Sequence, residues 1–600
     1  MESNRPLIIS FVIILLGAVL LVKLFLIQVT DDSYLRKAEK NAIQRIVDHP
    51  YRGLVYDRNG KLLVYNNPVF DLMVIPREFS VKDTASFCEF FNIKKEALIE
   101  NFNAAKNYSW VKPSPLIKQI SNEDFARIQD YLIDYRGIFV MTRSVRSYPQ
   151  PSAANALGYI GEISGNQLTR DESKYYRQGD YVGLSGVEAY YEPDLRGRKG
   201  VNYRMVNVRG IDKGKFKNGD LDTISIAGKN IQSTLDLELQ EYGEKLLAGK
   251  RGSVVAIEPK TGEILSFISA PTYDPNQLTG SKFGQNFTLL NQDGNKPLFN
   301  RPVMAMYPPG SIFKIVQSLV GLQEGILTPN TTLSCNRSLV NCHNHPNPVN
   351  LFGAIRNSCN PYYHQAFRMI INQEVSSNTY RDTQIGLDKW RESVMKFGLG
   401  DKLGVDMHGE KGGSIPSSAL YDKIYGNGRW KYSTIYSLSI GQGEMLVTPL
   451  QMANLAAIFA NKGHYYVPHM IKAIDGDPNL IPERFKTKNH TGVDPAYFDL
   501  VQDAMVEALS GTAARAIIKD IAIAGKTGTA QNPSGEDHSV FIAFAPKEDP
   551  QIAIAVYVEN AGWGGRAAAS TASLMIEKYL KGEITRPALE TYVLEGNFIY

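Results

Sequence analysis

The pattern of apolar and polar positions begins with one long apolar segment. Residues 7–29 are apolar except for Ser10, Lys23 and Gln28. As a helix rising about 1.5 Å per residue, the segment would extend roughly 34 Å, enough to cross a bilayer. The alternative is a cleaved signal peptide, but no small-x-small cleavage site follows the apolar core. The pattern therefore predicts an uncleaved transmembrane anchor at residues 7–29 after a short tail, residues 1–6, and does not decide on which side of the membrane the tail lies.

In the next 200 residues, some segments have the apolar periodicity of helices and others that of strands. Two strand-like runs flank Asp57-Arg58-Asn59-Gly60, and Asn-Gly is a strong hairpin signal. Short amphipathic helical patterns follow between residues 80 and 135, and strand-like runs alternate with glycine turns at 146–161 and 179–200. We interpret residues 30–230 as an α+β domain without an evident catalytic group.

The pattern changes near residue 230. A polar start and a helical period in STLDLELQEYGEKLLAG are followed by the strand-like runs SVVAIEP and EILSFISA around Lys260-Thr261-Gly262. We place a domain boundary here and assign residues 231–600 to a second α+β domain.

Composition excludes several classes of protein. Of the 600 residues, 65 are Lys or Arg and 61 are Asp or Glu, so the net charge of +4 is too small to indicate a nucleic-acid partner. Four cysteines are too few for a disulfide scaffold, although one bridge is possible.

Candidate chemistry lies in the second domain. The pattern S-x-x-K occurs three times, but only Ser311 and Lys314 follow a Pro-Pro-Gly stop and begin an apolar helical run. A helix would place the Lys314 amine one turn from the Ser311 hydroxyl, on the same face. Ser109 with Lys112 and Ser393 with Lys396 lack this setting and are most simply surface residues.

Two further segments complete an ordered set. Ser358-Cys359-Asn360 lies 47 residues after Ser311, and Lys526-Thr527-Gly528-Thr529 follows the apolar run IAIAG, which predicts a strand leading into the site. Lys-Thr-Gly also occurs at Lys260, in a turn between strands. The motifs S-x-x-K, S-x-N and K-T-G in this order are typical of penicillin-binding proteins and class A β-lactamases.

On these motifs, the chain resembles the class B penicillin-binding proteins, most closely their elongation-specific branch. The resemblance extends over nearly the whole chain, through RGLVYDRNGKLL, GLSGVEAYYEPDLRGRKG, YPPGSIFK, NSCNPYY, GQGEMLVTPLQMA and AGKTGTAQ. It implies an extended pedestal domain that resembles a dimerisation domain, and a transpeptidase domain with an antiparallel sheet flanked by helices. Cys359 stands where the β-lactamase motif has Asp.

The implied reaction is serine-type D,D-transpeptidation of peptidoglycan stem peptides, with β-lactams as covalent inhibitors and no cofactor required for the chemistry. Ser311 is the expected nucleophile, Lys314 its base, Ser358 a proton relay and Asn360 a support for Lys314. The expected oxyanion donors are the backbone N–H groups of Ser311 and Thr529. The expected carboxylate-binding residues are Lys526, Thr527 and Thr529, with Gly528 allowing close approach.

Three other kinds of protein are alternatives to an elongation-type transpeptidase. A secreted β-lactamase shares the motifs but needs neither an anchor nor a preceding domain of 200 residues. A division-type transpeptidase of the same class and a non-catalytic β-lactam sensor or scaffold stay open. The resemblance further implies an inner-membrane protein with residues 1–6 as a cytoplasmic tail and the residues after the anchor in the periplasm. It also implies a SEDS-type glycan polymerase and other elongation-complex proteins as partners.

A second cluster of reactive side chains lies at Cys335, Cys342, His343 and His345. Two thiolates with one or two imidazoles suit tetrahedral zinc, and the resemblance implies a structural zinc in this region. A Cys335–Cys342 disulfide with exposed histidines is the alternative in an oxidising compartment. The spacing does not decide between them, and neither arrangement is a third possibility.

Overall fold

The computed structural model of the chain describes residues 5–30, 43–81, 83–206, 212–596 and 598. Parts of the predicted tail and pedestal therefore lie outside the described residues. The chain forms two compact units, each assembled from separate segments. The first contains Met1–Arg52, Pro68–Ser144 and Arg196–Gly228, and the second contains Gly53–Asn67, Val145–Leu195 and Lys229–Tyr600. The boundary near residue 230 stays a prediction, and the second unit includes two segments that precede it.

The N-terminal apolar segment is helical. An α-helix spans Arg5–Phe25 and continues as a π-helical turn over Leu26–Thr30. Within it, Leu7–Gln28 has a mean hydropathy of 2.9 and is long and apolar enough to cross a membrane. The helix itself agrees with the sequence prediction.

In its described residues, the first unit also contains one small sheet, part of a second sheet and three further α-helices. Ile43–Asp48, Gly200–Val206 and Asp212–Lys215 form an antiparallel three-stranded sheet. The later residues of strand Leu62–Val74 pair antiparallel with Ser114–Ile120, and this strand also pairs with Ile138–Ser147. Aromatic and aliphatic side chains close a core against the helices, which span Thr84–Phe90, Lys95–Tyr108 and Asn122–Ile128. These helices confirm the amphipathic patterns.

The second unit is organised around an antiparallel sheet of five strands, here called the central sheet. In spatial order its strands are Ile264–Ala270, Gly252–Ile257, Ile552–Val558, His538–Ala545 and Ala524–Ala530. Strand Ala524–Ala530 forms one edge. The turn at Lys260-Thr261-Gly262 joins the first two strands, as the sequence predicts, and the sheet flanked by helices agrees with the resemblance.

The strands of the central sheet are buried along nearly their whole length because both faces are covered. Val254 and Ala256 face a core shared with helices Leu237–Leu246 and Ala567–Lys581. Val255 and Ile257 face the opposite core, which includes helix Pro449–Ala460. The remaining α-helices of this unit are Ala154–Leu157, Gly165–Thr169, Gly186–Tyr190, Glu192–Leu195, Phe283–Gln292, Arg301–Met304, Lys314–Gln323, Leu351–Arg356, Asn360–Ile371, Thr379–Met395, Ser418–Tyr425, Tyr432–Ile435, Pro495–Leu509 and Pro587–Glu595.

The predicted hairpin is present in the second unit. Val55–Tyr56 pairs antiparallel with residues 62–64, and Gly60 adopts φ +85° in the connecting turn. Strand Val55–Tyr56 also pairs parallel with Ile231–Ser233, which in turn pairs antiparallel with Ile471–Ile474. The prediction of strand-like runs across 179–200 is partly wrong. Val187, Tyr191 and Leu195 are buried at a spacing of four, which is the period of the two short helices observed there.

Candidate active site

Ser311 lies in a single 3₁₀ turn, Gly310–Phe313, that leads directly into helix Lys314–Gln323. The turn packs against the edge strand of the central sheet. Gly310 has φ +58°, and a Cβ atom built on it would lie 2.8 Å from the carbonyl oxygen of Thr529. Glycine is therefore required here by both its conformation and the close approach. The close approach holds the Gly310–Phe313 turn, which contains Ser311, beside the K-T-G strand.

Lys314 is completely buried and contacts the second motif. Its Nζ atom donates hydrogen bonds to the Ser358 carbonyl oxygen at 2.7 Å, to Ser358 Oγ at 3.2 Å and to Asn360 Oδ1 at 2.5 Å. The Asn360 side chain is fixed in turn, because its Nδ2 donates to the Asn341 carbonyl at 2.8 Å. Asn360 thus orients the lysine.

Ser358 occupies a strained position between helices Leu351–Arg356 and Asn360–Ile371. Its φ of +52° is uncommon for a residue with a side chain, and such strain is frequent at functional sites. Ser358 Oγ accepts a hydrogen bond from Lys526 Nζ at 3.0 Å as well as from Lys314. One hydroxyl therefore links the lysines of the first and third motifs.

The K-T-G motif lies inside edge strand Ala524–Ala530, whereas the sequence pattern placed the strand before it. Lys526 is completely buried, and its Nζ also donates to the Thr527 carbonyl at 3.2 Å. A Cβ atom on Gly528 would lie 3.0 Å from the Pro309 carbonyl oxygen. The strand therefore lies close to the turn that contains Ser311, which we call the nucleophile turn after the predicted role of Ser311. Thr529 Oγ1 accepts from the Gly564 N–H at 3.5 Å.

The electrostatics of the two lysines differ from their ordinary state. Burial lowers the pKa of Lys314 to about 7, against the opposing electrostatic effect of the nearby Cys342 and Cys359 side chains. Burial also lowers the pKa of Lys526 well below its usual range, and the charge of Lys314 lowers it further. A neutral Lys314 can accept a proton, and a carboxylate bound beside Lys526 would favour its charged form.

The predicted metal residues are only partly brought together. Ligand atoms of Cys335, Cys342, His345 and Cys359 all lie within 4.8 Å of one another, and we call these four residues the thiol cluster. The prediction named His343 where the structure has Cys359. His343 stacks edge-on against His345, outside the cluster. All four cysteines of the chain lie in its described part, and they are free thiols, so the structure contains no Cys335–Cys342 disulfide.

The thiol cluster has the features of a metal-binding group. Cys342 Sγ lies 3.5 Å from His345 Nε2, and His345 Nδ1 lies 2.7 Å from the Pro346 carbonyl oxygen. An Nδ1–H donated to that carbonyl leaves Nε2 free as a ligand. A hydrogen bond from the Cys359 thiol lowers the pKa of Cys342, which favours the thiolate that zinc binds.

Three functional candidates were missed by the sequence analysis. Cys359 was noted only as a departure from a motif, and the clue was its position one short helix after the Cys-His loop. Thr512 receives a hydrogen bond from Thr527 Oγ1 at 3.2 Å and has no recognisable motif. Gln442 donates from Nε2 to the Thr529 carbonyl at 3.3 Å, and the quoted segment GQGEMLVTPLQMA contained it without a role.

The other copies of the motifs have ordinary structural roles. Ser109 Oγ accepts from the N–H groups of Val111 and Lys112 in a turn after a helix. Ser393 lies within helix Thr379–Met395 and donates to the Lys389 carbonyl. The structure therefore separates Ser311 from its two sequence look-alikes.

Two protein-family models match this chain. Residues 252–577 match the penicillin binding protein transpeptidase domain, and residues 47–233 match the penicillin-binding protein dimerisation domain. The peptidoglycan D,D-transpeptidase MrdA of Salmonella typhimurium is 30% identical over 605 residues, covering 94% of this chain and 94% of that protein.

Solved structures show the same likeness. A complex between penicillin-binding protein 2 (PBP2) and MreC from Helicobacter pylori matches with a TM-score of 0.71 and 26% identity, over 90% of this chain and 100% of that chain. A structure described as a peptidoglycan synthase complex that coordinates polymerization and crosslinking matches with a TM-score of 0.70 and 26% identity, over 97% of this chain and 100% of that chain.

Proposed function

The chain belongs to the penicillin-binding proteins that carry a transpeptidase domain, and we propose that it is a serine-type peptidoglycan D,D-transpeptidase of cell elongation. The observation that carries the proposal is the position of Ser358 Oγ, which accepts from both Lys314 and Lys526. This hydroxyl connects the base beside the nucleophile with the lysine of the substrate-binding strand. The similarity to MrdA over 94% of the chain supports the elongation type over a division-type enzyme or a sensor.

The first half-reaction forms an acyl-enzyme. Ser311 Oγ attacks the carbonyl carbon of the penultimate D-Ala of the donor, and its proton passes to neutral Lys314. The peptide bond breaks, and the departing D-Ala nitrogen receives a proton through Ser358. Lys526 and the hydroxyls of Thr527 and Thr529 hold the terminal carboxylate.

The second half-reaction forms the cross-link. An amine of a neighbouring stem peptide attacks the ester carbonyl, loses its proton to the lysine–serine pair and releases Ser311 Oγ. The N–H groups of Ser311 and Thr529 stabilise the oxyanion in both steps. The chemistry needs no metal ion.

A fluorescent penicillin tests the assignment. The detergent-solubilised chain should be labelled covalently, and mass spectrometry should locate the adduct on Ser311. Ser311→Ala should abolish labelling, while the matched controls Ser109→Ala and Ser393→Ala should retain it. An adduct that survives Ser311→Ala contradicts the proposal.

We further propose that the thiol cluster holds a structural zinc ion. Three thiols and one imidazole nitrogen lie within 4.8 Å of one another, and Cys₃His is a donor set that structural zinc sites use. Cys335 and Cys359 are both buried. Because one ion would bind both residues, it would also fix the loop that lies between them in the chain. Cys359 lies between Ser358 and Asn360 in the chain, and the ion would therefore hold the second motif in place.

The setting of the enzyme is proposed from the same likeness. Helix segment Leu7–Gln28 would anchor the chain in the inner membrane, with the rest in the periplasm. The PBP2–MreC complex suggests an MreC-like partner, and the peptidoglycan synthase complex suggests a partner that polymerises peptidoglycan. The family resemblance suggests that this polymerase is of the SEDS type. The chain has no polymerase motif that we recognise, so a polymerising partner would supply the glycan strand.

A further inference from the structure

Gln442 connects the nucleophile turn with the substrate-binding strand. The segment Gly441–Gly443 is fixed beside Ser311, since the Gly310 N–H donates to the Gly441 carbonyl at 2.9 Å. A Cβ atom on Gly441 would lie 2.3 Å from the Gly310 carbonyl oxygen, so the two backbones are in direct contact. From this position Gln442 Nε2 donates to the Thr529 carbonyl oxygen at 3.3 Å.

The Thr529 carbonyl points to the open edge of the central sheet. Thr529 pairs with Ser539 on one side, and no strand of the sheet's described residues lies on the other. A side chain from outside the sheet reaches the carbonyl, so this group faces away from the neighbouring strand. The N–H and the carbonyl of one residue in an antiparallel strand point to the same side, and both are available to an added strand.

An extended peptide that adds to this edge needs the same carbonyl. Strand addition uses main-chain hydrogen bonds, with a peptide N–H donating to each free carbonyl of the edge. Approach to the Thr529 oxygen is limited on one side by Gly310, whose Cβ would lie only 2.8 Å away. A peptide N–H and the Gln442 amide therefore compete for the remaining approach.

We propose that Gln442 is a positioning residue that occupies the donor's hydrogen-bond site in the resting enzyme and is displaced by the backbone N–H of the acyl donor. The inference rests on the proposed function. Gln442 keeps the free edge paired between turnovers, and binding exchanges one hydrogen bond for another. Donors with an amide N–H next to the reacting acyl group can make the exchange, whereas donors without it leave Gln442 bonded to Thr529.

Two classes of β-lactam separate these cases. Benzylpenicillin carries an amide N–H on the carbon next to the lactam carbonyl, and carbapenems carry a hydroxyethyl group there. In Gln442→Ala and in Gln442→Met, which has similar length and no donor, the competing hydrogen bond is absent. Acylation by benzylpenicillin should become half-maximal at about two- to tenfold lower concentration, the size expected for one net hydrogen bond. The maximal acylation rate and carbapenem acylation should stay as in the wild type.

The outcomes are distinguishable. Gln373→Ala, which removes a surface glutamine bonded only locally to the Ile370 carbonyl, is the matched control and should change nothing. If the wild type is not acylated on Ser311, the proposed function fails. If the wild type is acylated but the Gln442 variants bind benzylpenicillin no more tightly, or lose acylation by both drugs, the role of Gln442 is overturned and the function stands.

Discussion

Lys526 Nζ donates a hydrogen bond to Ser358 Oγ across 3.0 Å, although 168 residues separate them in the chain. Lys526 is completely buried, and its pKa is lowered by this burial and by the charge of Lys314. The Ser358 hydroxyl is consequently an acceptor for a lysine on either side. Its own proton is then free to move toward a substrate atom.

Replacing the hydroxyl should slow acylation strongly without abolishing it. In Ser358→Ala the proton relay is lost, while Ser311 and Lys314 remain. We expect the rate of acylation by penicillin to fall by about 10²–10⁴-fold, the usual contribution of a positioned proton donor or acceptor. Stopped-flow or gel-based rates measure it, with Ser376→Ala, in an S-x-N sequence outside the site, as control. A rate within threefold of the wild type would contradict the relay.

The acylation rate should rise with pH through about 7. Lys314 acts as a base only when neutral, and its pKa is lowered to about 7 by burial. Below that value the rate should fall about tenfold per pH unit, and above it the rate should level off. Lys314→Arg keeps the positive charge at every accessible pH and should be inactive throughout. Lys396→Ala, in a look-alike motif, should leave the profile unchanged, and a profile flat from pH 5.5 to 9 would exclude Lys314 as the base.

Protein purified without chelator should contain one zinc per chain. Cys342→Ser removes one of four donors and should lower the zinc content and the melting temperature, because metal binding free energy adds to folding free energy. Cys88→Ser, outside the thiol cluster, is the matched control. Absence of zinc together with oxidised Cys335 and Cys342 would instead support the disulfide.

Stability of the second unit should depend on one buried ion pair. Arg146 Nε and Glu188 Oε1 lie 2.7 Å apart, and both side chains are fully buried. Glu188→Ala leaves the guanidinium without this partner and should reduce the free energy of unfolding by about 3–5 kcal/mol. Denaturant unfolding measures the loss, with the exposed pair of Lys260 and Asp549 as a control in which Asp549→Ala costs at most about 1 kcal/mol. Equal losses would contradict the argument.

The sequence was sufficient where periodicity or motif order carried the information. The apolar helix, the Asn-Gly hairpin and the strands around Lys260 follow from local patterns. The Pro-Pro-Gly stop distinguished Ser311 from Ser109 and Ser393, which lie in the same S-x-x-K pattern. The local pattern placed the edge strand Ala524–Ala530 too early in the chain, because IAIAG is more apolar than the K-T-G residues that pair with the neighbouring strand.

Long-range convergence was beyond the sequence. The spacing of His343 and His345 from Cys342 does not decide which of them is a ligand, and only the fold brings His345 and Cys359 to Cys342. The hydrogen bonds of Thr512 and Gln442 join residues 15 and 87 positions apart, for which a single sequence contains no pattern. The segments of the two compact units interleave for the same reason.

The order of strands in the central sheet also governs how the protein can be made. Strand Gly252–Ile257 pairs with Ile552–Val558, so its partner is synthesised almost last. Translation at about 5–20 residues per second delays that partner by roughly 15–60 seconds. During this interval the nascent chain carries an apolar hairpin with an open edge, a state prone to aggregation. We therefore expect intermediates of synthesis to aggregate unless this edge is shielded, and a premature stop before Ile552 leaves a product that cannot complete its sheet.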